Sequence, residues 1–252
     1  MFIRNESFQS FTRSYPVVTT IIGIHFVLFL WMNLFPFLGG DFIRNQGIGI
    51  NAFIMMGEYW RLVTPIFLHV TITHVLFNSF SLFLFGPALE QMLGKTRFIA
   101  AYLLTGILAN VATLLIGGVS YLPHLGASGA IFGLFGIYLY MVLYRKDLID
   151  SANAQVVMTI LIIGLIMTFV NPRINIYAHL FGLIAGAAIG PIILYKISRF
   201  AYVRRQSRPD DHEVTFDPQR WQKKSRNKQL FKKIAFISIL VLAAIAFLAR
   251  FL

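Results

Sequence analysis

Three short stretches hold side chains suited to acyl-transfer chemistry. The first is Gly126-Ala127-Ser128-Gly129, continued by Phe132, Gly133 and Gly136. G-x-S-G alone is a weak motif, and small residues four apart in membrane helices usually mean close packing. Placement adds weight: Ser128 follows a loop ending in Pro123-His124 and opens an apolar run. A helix N-terminus there offers unpaired backbone N–H groups and a positive dipole end. Both stabilise the oxyanion that forms when a serine attacks a carbonyl. The second stretch is Ala178-His179-Leu180-Phe181-Gly182, with Gly186 and Gly190. His179, Gly182 and Gly186 fall at about 0°, 300° and 700° around a helix, a single narrow stripe. That stripe reads either as a packing face with an incidental buried histidine or as a general base pressed against a partner helix. Ser128 and Phe132, four apart, also share a face, which places the ring to stack on the imidazole and hold its rotamer. The third stretch is His69-x4-His74-x3-Asn78. His69 and His74 lie about 140° apart on a helix, whereas a zinc pair wants i and i+4 on one face. No carboxylate is close by, so no metal site and no cofactor is expected. His74 and Asn78 do share a face, and a helix–helix hydrogen-bonding pair is the simplest role for them.

The elements that must carry these residues belong to a membrane. Of 252 residues 57% are hydrophobic and 13% charged, with a mean hydropathy of +0.71. Soluble domains run to about 45–50% apolar and about 25% charged. The composition therefore excludes an ordinary soluble domain and a disordered chain alike. The absence of cysteine removes disulfides, thiol nucleophiles and thiolate metal sites. A spanning helix needs about 20 apolar residues. Residues 17–38, 72–93, 98–118, 126–144, 155–171, 174–195 and 234–252 meet that roughly. Thr71 and Thr73 are candidate N-caps for the second span, drawn from near Thr73 with a kink at Pro87. The first span is too long for a signal core and lacks a cleavage pattern, so it reads as retained. The expected fold is all-α, a polytopic membrane helical bundle.

Positive charge sets an expected orientation. Eighteen of the 22 Lys and Arg fall on one side, twelve of them between 196 and 233; Arg44, Arg61, Arg173 and Arg250 fall on the other. By the positive-inside rule the N-terminus is cytoplasmic and the C-terminus extracellular. Residues 196–233 become a basic cytoplasmic linker, a composition that serves topology or contact with anionic lipid. The net charge of +12 then needs no nucleic acid to explain it. Residues 39–71 form a long outer loop, with Tyr59 and Trp60 suited to interfacial depth. None of the ten acids lies in the middle of a span, which weighs against a proton-coupled carrier or channel. No internal repeat stands out. Spans two, four and six run in the same direction, so Ser128, His179, His74 and Asn78 share the outer half of the membrane. This agreement in depth is stronger than any one motif.

Taken together, these residues resemble the rhomboid family of intramembrane serine proteases. The resemblance rests on Glu58-Tyr59-Trp60-Arg61, His69-x4-His74-x3-Asn78, Gly86-x3-Glu90-x3-Gly94, Gly126-x-Ser128-Gly129 and Ala178-His179-x2-Gly182-x3-Gly186, in that order across roughly residues 15–195. It implies Ser128 as nucleophile and His179 as general base, with His74, Asn78 and the Ser128 N–H as the oxyanion site. Gly126, Gly129, Phe132 and Gly182 support them. Trp60 and Arg61 shape the outer loop, Glu90 is structural, and His69 is structural or lines the water-filled cavity. With no carboxylate to orient His179, the pair would be a dyad, and low polarity favours the neutral imidazole that accepts the serine proton. Phe132 stands where the family often carries tyrosine. The implied organisation is an N-terminal cytoplasmic segment 1–16, a six-helix rhomboid-like core 17–195, the linker 196–233 and one extra C-terminal transmembrane helix 234–252. The implied partners are transmembrane protein substrates and the lipid bilayer, and the expected location is a bacterial plasma membrane. The oligomeric state and the substrate are left open. A catalytically silent binder of membrane segments is the alternative reading.

Overall fold

Glu90 shows how the bundle is tied together. Its carboxylate accepts from the backbone N–H groups of Val17 and Val18, at 3.0 and 2.8 Å. These belong to the first turn of a helix, where N–H groups have no intrahelical partner. A side chain near the end of one long helix thus completes the start of another.

The computed structural model describes Phe2 and residues 6–197. Among the described residues the chain is all-α, with no strand beyond a single bridge between Gly49 and His124. The helices are α1 (Phe8–Ser14), α2 (Pro16–Leu34), α3 (Gly40–Gly47), α4 (Asn51–Met55), α5 (Ile72–Leu93), α6 (Lys95–Gly117), α7 (Ser128–Tyr144), α8 (Ser151–Val170) and α9 (Ile176–Ile193). Five of them, α2, α5, α6, α8 and α9, are long and apolar enough to cross a membrane; α7 is apolar and shorter. At 1.5 Å per residue α7 is about 26 Å long, under the roughly 30 Å of a hydrocarbon core. The expected seventh span, and the linker beyond Ile197, lie outside the described residues.

Local chemistry fixes where the helices begin and end. Thr71 caps α5 by accepting from the His74 N–H at 3.3 Å, so α5 starts at Ile72. Pro87 lies inside α5. Asp150 caps α8 and Asn175 caps α9 in the same manner. Gly94, with φ +79°, separates α5 from α6 in a single residue. The first span stops at Leu34, short of the expected residue 38. Pro36 has no N–H for the next helical bond and disfavours helix at Phe35. A 3-10 turn over Pro36–Leu38 follows instead. Gly126, with φ +124°, cannot be helical, and α7 begins at Ser128 rather than 126. The stretch 39–71 is more structured than a loop, since it holds α3, α4 and 3-10 turns over Tyr59–Leu62 and Thr64–Phe67.

α7 is the centre of the bundle. Every residue from Gly129 to Tyr138 is buried, the mark of a helix surrounded on all sides. It packs most extensively on α9, and both pack on α6. Glycine makes the α7–α9 approach possible: a Cβ at Gly182 would meet the Gly129 carbonyl, and one at Gly186 the Gly133 carbonyl. The glycine stripe on the His179 face is therefore a backbone-to-backbone seam. By contrast α8 buries only Val157, Leu161 and Thr168. At the end away from Ser128, Arg145 joins α7 to the chain leaving α9. It donates to the carbonyls of Leu194 at 2.9 Å and Ile197 at 2.6 Å while pairing with Asp147 at 2.9 Å.

Candidate active site

Ser128 is the first residue of α7, half-buried, and Ala127 before it offers no side-chain cap. Its backbone N–H is thus one of the unpaired donors of a helix N-terminus. The segment feeding it is held by the stretch 39–71. Gly49 and His124 exchange two backbone hydrogen bonds of 2.9 Å. The Gly126 N–H donates to the Pro65 carbonyl at 2.8 Å, and the Ala127 N–H to His69 Nε2 at 3.4 Å. His69 is fully buried and acts structurally, as a brace for the backbone beside the serine.

Arg61 organises that stretch in turn. It is 1% exposed, a cost that must be met by partners. Its guanidinium pairs with Glu58, donates to the carbonyls of Asn45 at 2.8 Å and Ile48 at 2.7 Å, and lies over the Phe53 ring. Trp60 is partly exposed and donates its indole N–H to the Gln46 carbonyl at 3.0 Å.

On the other side of the seam, His179 lies in the first turn of α9, 7% exposed. Gly129, next to Ser128, packs on Ala178, next to His179. The seam thereby carries Ser128 and His179 on adjoining helix starts. The Phe132 ring stacks on the His179 imidazole, with centroids 4.1 Å apart and planes at 20°. On its far side, His179 Nδ1 lies 2.7 Å from Thr168 Oγ1 of α8. Ser128 Oγ has no hydrogen-bond partner among the described residues.

His74 and Asn78 approach the same segment from α5. A Cβ at Gly126 would meet the His74 ring and lie 3.6 Å from Asn78 Nδ2. Only glycine leaves that room, and only glycine adopts that φ readily. Asn78 Nδ2 is buried without a hydrogen-bond partner among the described residues. His74, His69 and His25 form a run of rings, with centroids 4.9 and 4.7 Å apart. Tyr102 OH lies 3.3 Å from His25 Nε2 at its end. Among the described residues no group of three or more His, Cys, Asp or Glu is arranged to hold a metal ion.

Sequence reasoning missed two residues of this neighbourhood. One is Thr168. The other is Asn175, which caps α9 through the Ala178 N–H at 3.0 Å and receives the Tyr121 hydroxyl at 3.2 Å. An Asn directly before an apolar run is a legible capping signal; a threonine inside an apolar span is not.

The Rhomboid domain family matches residues 56–196, which takes in His74, Asn78, Ser128, Phe132, Thr168 and His179. The chain is 48% identical to "Putative rhomboid protease YdcA" of Bacillus subtilis (strain 168) over 199 residues, 79% of this chain and 99% of that one. It is 40% identical to "Rhomboid protease GluP" of the same organism over 144 residues, 56% of this chain and 28% of that one. It is 29% identical to "RHOMBOID-like protein 5" of Arabidopsis thaliana over 203 residues, 80% and 63% of the two chains. With this helical bundle around it, the chain belongs to the rhomboid family: a multi-pass membrane protein and a rhomboid-type serine protease.

Proposed function

We propose that the chain cleaves peptide bonds in or near transmembrane segments of membrane-protein substrates, with Ser128 as nucleophile and His179 as general base. His74, Asn78 and the Ser128 N–H stabilise the oxyanion. The observation that carries this reading is the α7–α9 seam, in which Gly129 meets Ala178 and Phe132 lies flat on His179. As Ser128 Oγ attacks the scissile carbonyl carbon, His179 takes its proton and passes it to the leaving amine. Water then attacks the acyl-enzyme, and the same imidazole assists. Negative charge on the tetrahedral oxygen meets the start of α7 and Asn78 Nδ2. The core is the six-helix unit 17–195, with Gly126, Gly129 and Gly182 as its close-packing points. The site faces the outer leaflet of a plasma membrane, with the N-terminus cytoplasmic, as the distribution of Lys and Arg supports. The silent-binder alternative finds no support, since the relatives carry protease names.

The test uses a fluorophosphonate probe on detergent-purified protein, comparing wild type with Ser128→Ala and His179→Ala. The reading expects labelling of wild type and loss in both variants. Labelling that survives Ser128→Ala, in folded protein, would sink it.

A further inference from the structure

Thr168 is buried within α8, fully shielded from solvent. Its hydroxyl makes two short contacts, each of 2.7 Å. One is to the Gly164 carbonyl, one turn back in α8. The other is to His179 Nδ1. A hydroxyl has a single proton and can accept as well as donate. The Gly164 carbonyl can only accept, so the proton of Thr168 goes to it. The remaining contact is satisfied only if Thr168 Oγ1 accepts, and His179 Nδ1 must then carry a hydrogen. A neutral imidazole protonated at Nδ1 is unprotonated at Nε2.

Resting on the dyad reading above, we propose that Thr168 is the positioning residue of the active site. It holds His179 in the Nδ1–H tautomer, so that Nε2 is free to take the Ser128 proton. It does with a neutral hydroxyl what a carboxylate does in a triad. The helix bond to Gly164 makes the hydroxyl an obligatory acceptor toward the ring. No buried anion is required, and that matters in a medium where an unpaired charge is expensive. When Nε2 gains the serine proton, the imidazolium still donates from Nδ1 to Thr168. No further proton moves, and Thr168 stays neutral throughout. The geometry around it fits a device of this kind. Val157, Leu161, Gly164 and Thr168 form one stripe of α8 at about 0°, 40°, −20° and 20°. Phe132 packs at Gly164 and His179 at Thr168, one turn apart. The imidazole is therefore fixed by a ring on its face and a hydroxyl at its edge.

The experiment compares wild type, Thr168→Val, Thr168→Ser, Ser128→Ala and His179→Ala in detergent, using a fluorophosphonate probe over a range of concentrations. It separates the maximal labelling rate from the probe concentration at half-saturation. Thr168→Val, nearly isosteric, is expected to lower the maximal rate about tenfold, the worth of one hydrogen bond, with half-saturation unchanged. Thr168→Ser is expected to restore it. In wild type labelled with 15N-histidine, the His179 signals, assigned with His179→Ala, are expected to report a protonated Nδ1 and a bare Nε2. Thr168→Val is expected to shift that ring toward the other tautomer. Wild-type labelling rates in Thr168→Val, while Ser128→Ala and His179→Ala are dead, would overturn the role of Thr168 and leave the dyad standing. An Nε2–H tautomer in wild type would overturn it too, and this reading does not depend on Thr168→Val folding. Labelling that persists in Ser128→Ala would overturn the dyad itself.

Discussion

Phe132 and Gly164 meet edge to backbone: a methyl group at Gly164 would stand 3.1 Å from Phe132 Cζ. The ring that lies on His179 is thus confined by α8. Gly164→Ala should move Phe132 by a few tenths of an ångström and carry the imidazole with it. Replacing Gly by Ala inside a helix favours the helix by up to about 1 kcal/mol. Thermal stability should hold or rise while the labelling rate falls, by about fivefold for so small a misplacement. Unchanged labelling in a stable variant would show that the Phe132–His179 stack has slack.

Asn78 is the donor whose removal should separate chemistry from folding. Its Nδ2 has no partner to lose among the described residues. Asn78→Ala should therefore melt within a few degrees of wild type. Loss of one oxyanion donor typically costs about 10²-fold in turnover. Single-turnover cleavage of a transmembrane peptide should show a loss of that order. A loss below about threefold would remove Asn78 from the oxyanion site.

Glu90 should behave in the opposite way. It completes the first turn of α2 through two backbone N–H groups, far along α5 from His74. Glu90→Ala should cost about 2–4 kcal/mol, because hydrogen bonds to charged groups are worth about 1.5–3 kcal/mol each and are not additive. Glu90→Gln keeps one acceptor oxygen and should cost about 1 kcal/mol. Equilibrium unfolding in mixed detergent reads both, and fluorophosphonate labelling per folded molecule should not change in either.

His124 gives an acid signature. Burial holds its imidazole down to about 4, from an ordinary value of 6.5. Above pH 6.5 the ring is neutral folded and unfolded, and titration costs nothing. Between about pH 6.5 and 4 the unfolded chain binds the proton first, so stability falls as pH falls. Below about 4 the loss levels off. His124→Asn should flatten that part of the melting-temperature curve, and an identical acid slope in the variant would show that His124 does not contribute.

Helical periodicity made much of this site readable. The spacing of His179, Gly182 and Gly186 foretold a close seam, and the step from Ser128 to Phe132 foretold the stacked ring. Both follow from one helix at a time. Pairings between helices did not show themselves. Thr168 is one threonine among many in an apolar span, and its value comes from a neighbour eleven residues on across a turn. Arg61 was legible as a loop residue, but its acceptors are backbone carbonyls of Asn45 and Ile48, which no side-chain pattern records. α3 and α4 escaped notice because short helices in a 33-residue connection lack a long apolar period. The end of α2 at Leu34 was written in Pro36 and outweighed by the apolar run around it.

The two ends of the bundle are fastened differently. At one end Glu90 binds the start of α2, and Arg145 binds the chain leaving α9. At the other end lie Ser128, an unpartnered Asn78 amide and a helix start without a side-chain cap. The serine end is braced by the stretch 39–71 and yet keeps open donors at Asn78 Nδ2 and the start of α7. Donors left open in a fixed frame need no rearrangement before they receive an acceptor.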